Sequence, residues 1–233
     1  MKRIPVISAT VLGLALSLLV QTQAQNRVTS LPAGGTPLVP DNMVNGPVPR
    51  LADGHPDLTG PWLGGGSNAD IEREGGLKPG ELPLLPWAKT LRDGRKEQDE
   101  PYVACLPMSV PRMNPYPWRF VNSYTSKGLT EIYVLHELGD AGAHRVVYMD
   151  GRKHPSNAFP TWYGHSIGRW EGDTLVIDTV GYNDKFWFDS RGTPHTDKLH
   201  TIERWTRPNY GTLINEFTLD DPGAYSRTVQ LKF

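Results

Sequence analysis

From residue 129 to the C-terminus, apolar and polar positions alternate in short runs and do not recur at helical spacing. The runs are "LTEIYVLHE", "HRVVYMDG", "SIGRWEG", "DTLVIDTVGY", "KLHTIERWT", "GTLINEFTLDD" and "YSRTVQLKF", rich in β-branched and aromatic residues. Turn formers separate them: "GDAGA", "EGD", "RPNYG" and "DDPG". Short strands with tight turns at regular intervals predict an antiparallel meander. In the last run Tyr225, Arg227, Val229, Leu231 and Phe233 share one side of a strand. A long meander must close or stack to hide its edges. The expected fold is therefore mainly β, a meander closing into a lipocalin-like barrel, with a β-sandwich as the alternative.

The front half has a different texture. "DLTGPWLG" begins a possible strand, and "PLLPWAKTLRDGRKEQ" is the one convincing short helix, with Pro86 in its first turn. "YVACLPMSVPRMNPYPWRF" carries four prolines, which argue against both helix and central strand. That segment is expected to be irregular and to wrap the domain. Residues 25–56 are Pro- and Gly-rich with no sustained period and read as an extended segment. Residues 1–24 begin with Lys2 and Arg3, continue through the apolar "VISATVLGLALSLLV" and end on Ala24, the layout of a secretory signal peptide. The expected organisation is thus a signal peptide at 1–24, the extended segment at 25–56 and a single β-barrel-like domain at 57–233.

Export with cleavage leaves no stable membrane anchor and places the protein in the periplasm or outside the cell. A formal net charge of −1 gives no basic footprint for nucleic acid. The single cysteine, Cys105, excludes an internal disulfide, and its neighbours Ala104, Leu106 and Pro107 favour burial.

"GHSIG", residues 164–168, matches G-x-S-x-G, the nucleophile elbow of serine hydrolases. An elbow needs a buried strand before the serine and a helix after it. Pro155 and Pro160 interrupt what precedes, and Glu171, Gly172 and Asp173 signal a hairpin where the helix would begin. Ser166 is therefore a hairpin residue, and Gly164 and Gly168 are positions of tight turning or close packing.

"YMDGRKHP", "WYGHSIGRWEGDTLVIDTVGYND", "TPHTDKLHTIERW" and "LDDPGAYSR" together resemble a large group of exported bacterial proteins. "LADGHPDLTGPW" and "CLPMSVPR" extend the resemblance over residues from about 50 to the end. It implies export and a shared β fold, and no particular reaction. "LTGPW" also resembles the G-x-W entry of lipocalins.

Six of the seven histidines lie between residues 136 and 200. Titratable groups near aromatics point to a pocket with acid and base groups. His195, in the loop before "LHTIERWT", and Asp184, just past a strand end, rank first as an acid/base pair or as a base with its orienting carboxylate. His154 and Asp150 follow, on a turn after another strand, and His165 is placed to reach the pocket of His195. Within "LHTIERWT", alternation puts His200 and Glu203 on opposite faces, and Glu203 with Arg204 reads as a structural pair. Trp162, Tyr163, Trp187 and Arg152 are the candidate substrate contacts. His195 and His200 do not have the spacing of H-E-x-x-H, and no metal or cofactor is expected. The leading expectation is an exported enzyme of lyase, dehydratase or isomerase type acting on a small, partly apolar molecule. The alternative is a non-catalytic, lipocalin-like carrier. The sequence leaves the oligomeric state open.

Overall fold

A computed structural model describes residues 41–138 and 144–233. The expected signal peptide, and residues 25–40 of the expected extended segment, lie outside the described residues. A one-turn helix, α1 (Asp41–Val44), leads to β1 (Gly60–Trp62), a second single turn, α2 (Ile71–Glu74), and a longer helix, α3 (Pro86–Gly94). Pro86 stands in the first turn of α3, where its missing N–H costs nothing. Asp70 caps α2 through the backbone N–H groups of Glu72 and Arg73. Eight strands follow: β2 (Trp118–Thr125), β3 (Gly128–His136), β4 (His144–Tyr148), β5 (His165–Glu171), β6 (Thr174–Val180), β7 (His200–Asn209), β8 (Thr212–Asp220) and β9 (Val229–Lys232).

The strands form one sheet in sequence order, β1 to β9, curled into a half-barrel. No second sheet forms among the described residues, so the sandwich alternative is not observed. The meander has one exception: β4 and β5 pair in parallel, Val147 against Ser166 and Tyr148 against Ile167. A parallel pair needs a crossover and not a hairpin. Residues 149–164, with Pro155 and Pro160 inside them, make that crossover.

Within the described residues β1 and β9 do not pair. The stretch 63–77 spans the two edges instead. Gly64 N–H donates to the Pro115 carbonyl, Asn215 Nδ2 donates to the Gly65 carbonyl, and Lys232 N–H donates to the Gly75 carbonyl. Ile71, on the inner side of this cover, is fully buried. Strand alternation and the loop after β6 fill the inner face with two apolar clusters. One holds Trp118, Phe120, Ile177 and Trp205, and the other holds Tyr182, Phe186, Phe217 and Leu219.

Three local expectations are corrected. β2 starts directly after Pro117, so the proline-rich segment ends in a strand once its last ring is passed. Cys105 is exposed, because it closes a 3-10 turn in the left-handed conformation (φ 58°) that turns it outward. Glu203 does not pair with Arg204. Alternation sends Glu203 inward to Arg145 at 2.5 Å and Arg204 outward to Glu171 at 2.8 Å.

Candidate functional site

The register of three strands assembles a histidine–aspartate cluster on the face of the sheet opposite the core. Asp178 of β6 stands across from Ile167 of β5 and Ile202 of β7. His165 and His200 lie two residues further along those neighbours, on the same face and diagonal to the carboxylate. The crossover brings His154 onto them. Asp178 Oδ1 accepts from His200 Nε2 at 2.8 Å and from His154 Nε2 at 3.2 Å. The Nδ1 atoms of His154 and His165 are 2.9 Å apart.

These contacts fix the tautomers. A carboxylate only accepts, so both Nε2 atoms facing it carry protons. A neutral His154 then has its lone pair on Nδ1, and His165 must donate Nδ1–H into it. The unshared lone pair of the chain falls on His165 Nε2. Asp178 therefore orients His154, and His154 orients His165.

The same geometry separates the titrations. The hydrogen bond to Asp178 raises the pKa of His200 above its ordinary value, against partial burial. Burial lowers that of His165, helped by the neighbouring His154 and Arg152. The His200 hydrogen bond holds the Asp178 carboxyl below the usual range. One imidazole is biased towards its cation and another towards its free base, around one carboxylate. All the groups are partly exposed.

Tyr148 stacks on His165 at 5.2 Å, and the Arg152 guanidinium lies 3.8 Å over the Tyr148 ring. Asp150 is held by Arg152 through Nε and Nη2, which keeps its carboxyl ionised, with a pKa of about 2. Asp150 and Arg152 thus form an ion pair beside the cluster, and Asp150 is a poor proton carrier.

His195 and Asp184, the first-ranked pair, are not brought to this cluster. The His195 ring packs 3.9 Å from Phe186 and 5.0 Å from Phe188, and its Nδ1 donates to the Thr196 carbonyl at 3.1 Å. Burial takes its pKa down to about 4. It is a core histidine, because the loop before β7 folds inward among the aromatics that follow Asp184. His165 bonds to His154, not His195. Asp184 is exposed and, with Trp187 and Leu91, lines a groove of about 900 Å³ beside α3. Trp187 itself is buried, with Arg95 4.7 Å from its ring. Trp162 packs on the Tyr182 cluster, and Tyr163 packs on Met108 and Met113.

Sequence reasoning missed Asp178 and placed His200 low. The available signal was an acidic residue in the middle of the apolar strand "TLVIDTV", with histidines at matching positions on both flanking strands. Ser166 is buried and bonds to Thr179 Oγ1 at 2.8 Å, on the core side of β5.

Among the described residues no group of three or more His, Cys, Asp or Glu side chains has the geometry to hold a metal ion. No helix among them is long and apolar enough to cross a membrane. No protein-family model, curated protein or solved structure matches the chain.

Proposed function

We propose that the protein is an exported small-molecule enzyme that uses histidine acid–base chemistry on a partly apolar organic substrate. The reaction is of lyase, dehydratase or isomerase type and needs no metal or cofactor. The supporting observation is the opposed poise of His165 and His200 around Asp178. His165 Nε2 removes a proton from a carbon beside a carbonyl. His200, as the imidazolium, delivers a proton to oxygen. In a dehydratase that oxygen leaves as water; in an isomerase the proton gives an enol that is reprotonated elsewhere. Asp178 carries the balancing negative charge, and Arg152 holds the substrate's polar end. The basic start and apolar stretch of residues 1–24 and the resemblance to exported bacterial proteins support the export part of this reading.

The experiment is turnover in D₂O. The purified mature protein is incubated with a metabolite extract and followed by mass spectrometry. Proton abstraction at carbon leaves deuterium in the substrate pool, and dehydration leaves a product lighter by one water. His165→Gln should lose about 100-fold or more of that signal, the usual scale of a general base. Asp178→Asn should lose a comparable share. Full activity in both variants refutes the assignment.

A carrier reading draws on the groove at α3, whose size suits a small ligand. In that reading the half-barrel with its 63–77 cover is a lipocalin-like barrel. It predicts a retained metabolite with neither exchange nor turnover.

A further inference from the structure

The inner face of the half-barrel carries a band of buried polar groups between its two apolar clusters. Arg145 of β4 makes two bonds to Glu203 of β7, and Trp205 Nε1 donates to the same carboxylate. His136 of β3 lies two residues beyond Val134, the cross-strand partner of Arg145, on the same face. The segment 100–117 lies against this end of the sheet. Its Asn114 meets His136 Nε2 at 3.0 Å, and its Arg112 pairs with Glu100 in a buried ion pair. Met108 and Met113 of the same segment pack with Leu138 and Tyr163.

Apart from Glu100 Oε1, which is taken up in the ion pair with Arg112, four buried polar atoms in this neighbourhood have no hydrogen-bond partner among the described residues: Ser109 Oγ, Arg112 Nε, His136 Nδ1 and Arg145 Nε. Ser109, Arg112 and Arg145 are each at most 4 % exposed. Buried polar groups in folded proteins are as a rule met by protein, ordered water or a ligand, because each unmet one forfeits its hydration for nothing in return, and four gathered in one region call for a common partner.

Their chemistry specifies what meets them. Both arginine Nε atoms are donors. Asn114 uses its Nδ2 on the Gly65 carbonyl, so its Oδ1 accepts from His136 Nε2 and leaves a lone pair on His136 Nδ1. Burial, with Arg145 nearby, keeps that imidazole uncharged, with a pKa of about 3. Each arginine is already neutralised by a glutamate. The unmet set is thus two donors, one acceptor and one hydroxyl, with no net charge, beside an adaptable methionine wall.

We propose that the interior beneath residues 100–117 is a binding site for a neutral, hydroxyl-bearing molecule with a compact apolar body. The hydroxyl accepts from an arginine Nε–H and donates to His136 Nδ1, and the apolar body lies against Met108 and Met113. This site is on the opposite face of the sheet from the histidine–aspartate cluster, and it stands or falls independently of the acid–base reading.

The test uses phenol, toluene and benzoate as probes of one size: hydroxylated, apolar and charged. Binding is followed on the full chain by amide and indole NMR shifts. The Trp118 indole reports on the site, because its ring stacks on His136 at 6.4 Å. Phenol should bind saturably with a Kd of about 1 mM or tighter and move the Trp118 signal. Toluene and benzoate should bind about tenfold more weakly or not at all. His136→Phe should bring phenol down to the toluene level. His136→Gln, which keeps a donor for Asn114 Oδ1 and removes the Nδ1 acceptor, should weaken phenol alone if His136→Phe fails to fold. Equal binding of phenol and toluene, shifts confined to the Trp187 groove, or no saturable phenol binding would each overturn the proposal, the last leaving ordered water as the partner of these groups.

Discussion

His195 gives the sharpest test of the division between core and site histidines. Its folded pKa of about 4 lies below the 6.5 of a free imidazole. The unfolded chain therefore takes up a proton between those values that the folded chain refuses. Stability from this group is complete above about pH 6.5 and is lost as pH falls through the folded value. One pH unit of separation is worth about 1.4 kcal/mol, so the full loss is about 3 kcal/mol, of which about 2 kcal/mol is gone by about pH 5. The perturbation is His195→Leu, which removes the titration and keeps an apolar group against Phe186 and Phe188. The hydrogen bond to Thr196 is lost in the variant, but that cost does not change with pH. Urea unfolding followed by tryptophan fluorescence, at about pH 7.5 and about pH 5, gives the four free energies required. The wild type should lose about 2 kcal/mol more than the variant on acidification. The losses from His136 occur in both proteins and cancel. Equal losses in the two proteins would refute the burial argument, and a variant that folds but has no turnover would return His195 to the site.

Other consequences are as direct. Asp178→Asn leaves a neutral acceptor where the carboxylate raises the His200 pKa by hydrogen bond and charge, so the His200 titration followed by NMR should move to lower pH; an unmoved titration breaks the link between them. Arg145→Met leaves Glu203 buried and unpaired and should cost about 3–5 kcal/mol in urea unfolding, whereas Arg145→Met with Glu203→Leu should recover part of that loss. Gly164→Ala should destabilise by at least about 1–2 kcal/mol, because its φ is +66° and a Cβ would stand 2.7 Å from both Thr179 Cγ2 and the Val180 carbonyl. Ser166→Ala should cost only about 1 kcal/mol and leave any turnover intact; a lost activity would revive the nucleophile elbow.

The strands from β3 to β9 were legible because period-two alternation and glycine turns are local properties. Gly172 takes φ +60° in the turn where "EGD" predicts a hairpin. The parallel pairing of β4 with β5 was not legible. It depends on the path of residues 149–164, whose prolines say that the chain is not a hairpin but not where it goes. The cover at 63–77 was equally hidden, since its contacts with Pro115, Asn215 and Lys232 join residues far apart in sequence. The exposed Cys105 shows the limit of reading burial from apolar neighbours when the backbone turns at that residue.

The candidate site was half legible for a related reason. His154, His165, Asp150 and Arg152 were read from loops and strand ends, where loop chemistry draws attention. Asp178 sits in mid-strand among valines and isoleucines, where a carboxylate reads as an oddity of an apolar run. Its role appears only with the register, which sets His165 on one side of it and His200 on the other. His195 is the opposite case, buried where the sequence points to a pocket mouth. A histidine beside "KFWF" and Asp184 looks like a base at a pocket mouth, yet the same aromatics can close over it. Phe186 and Phe188 do so here, and Asp184, the carboxylate that would orient it as a base, is left exposed outside. Proximity in sequence brought His195 its aromatics, and register brought Asp178 its histidines. In a sheet protein the second relation builds such a cluster, because adjacent strands hold side chains on one face at fixed spacing while a loop must first choose a direction.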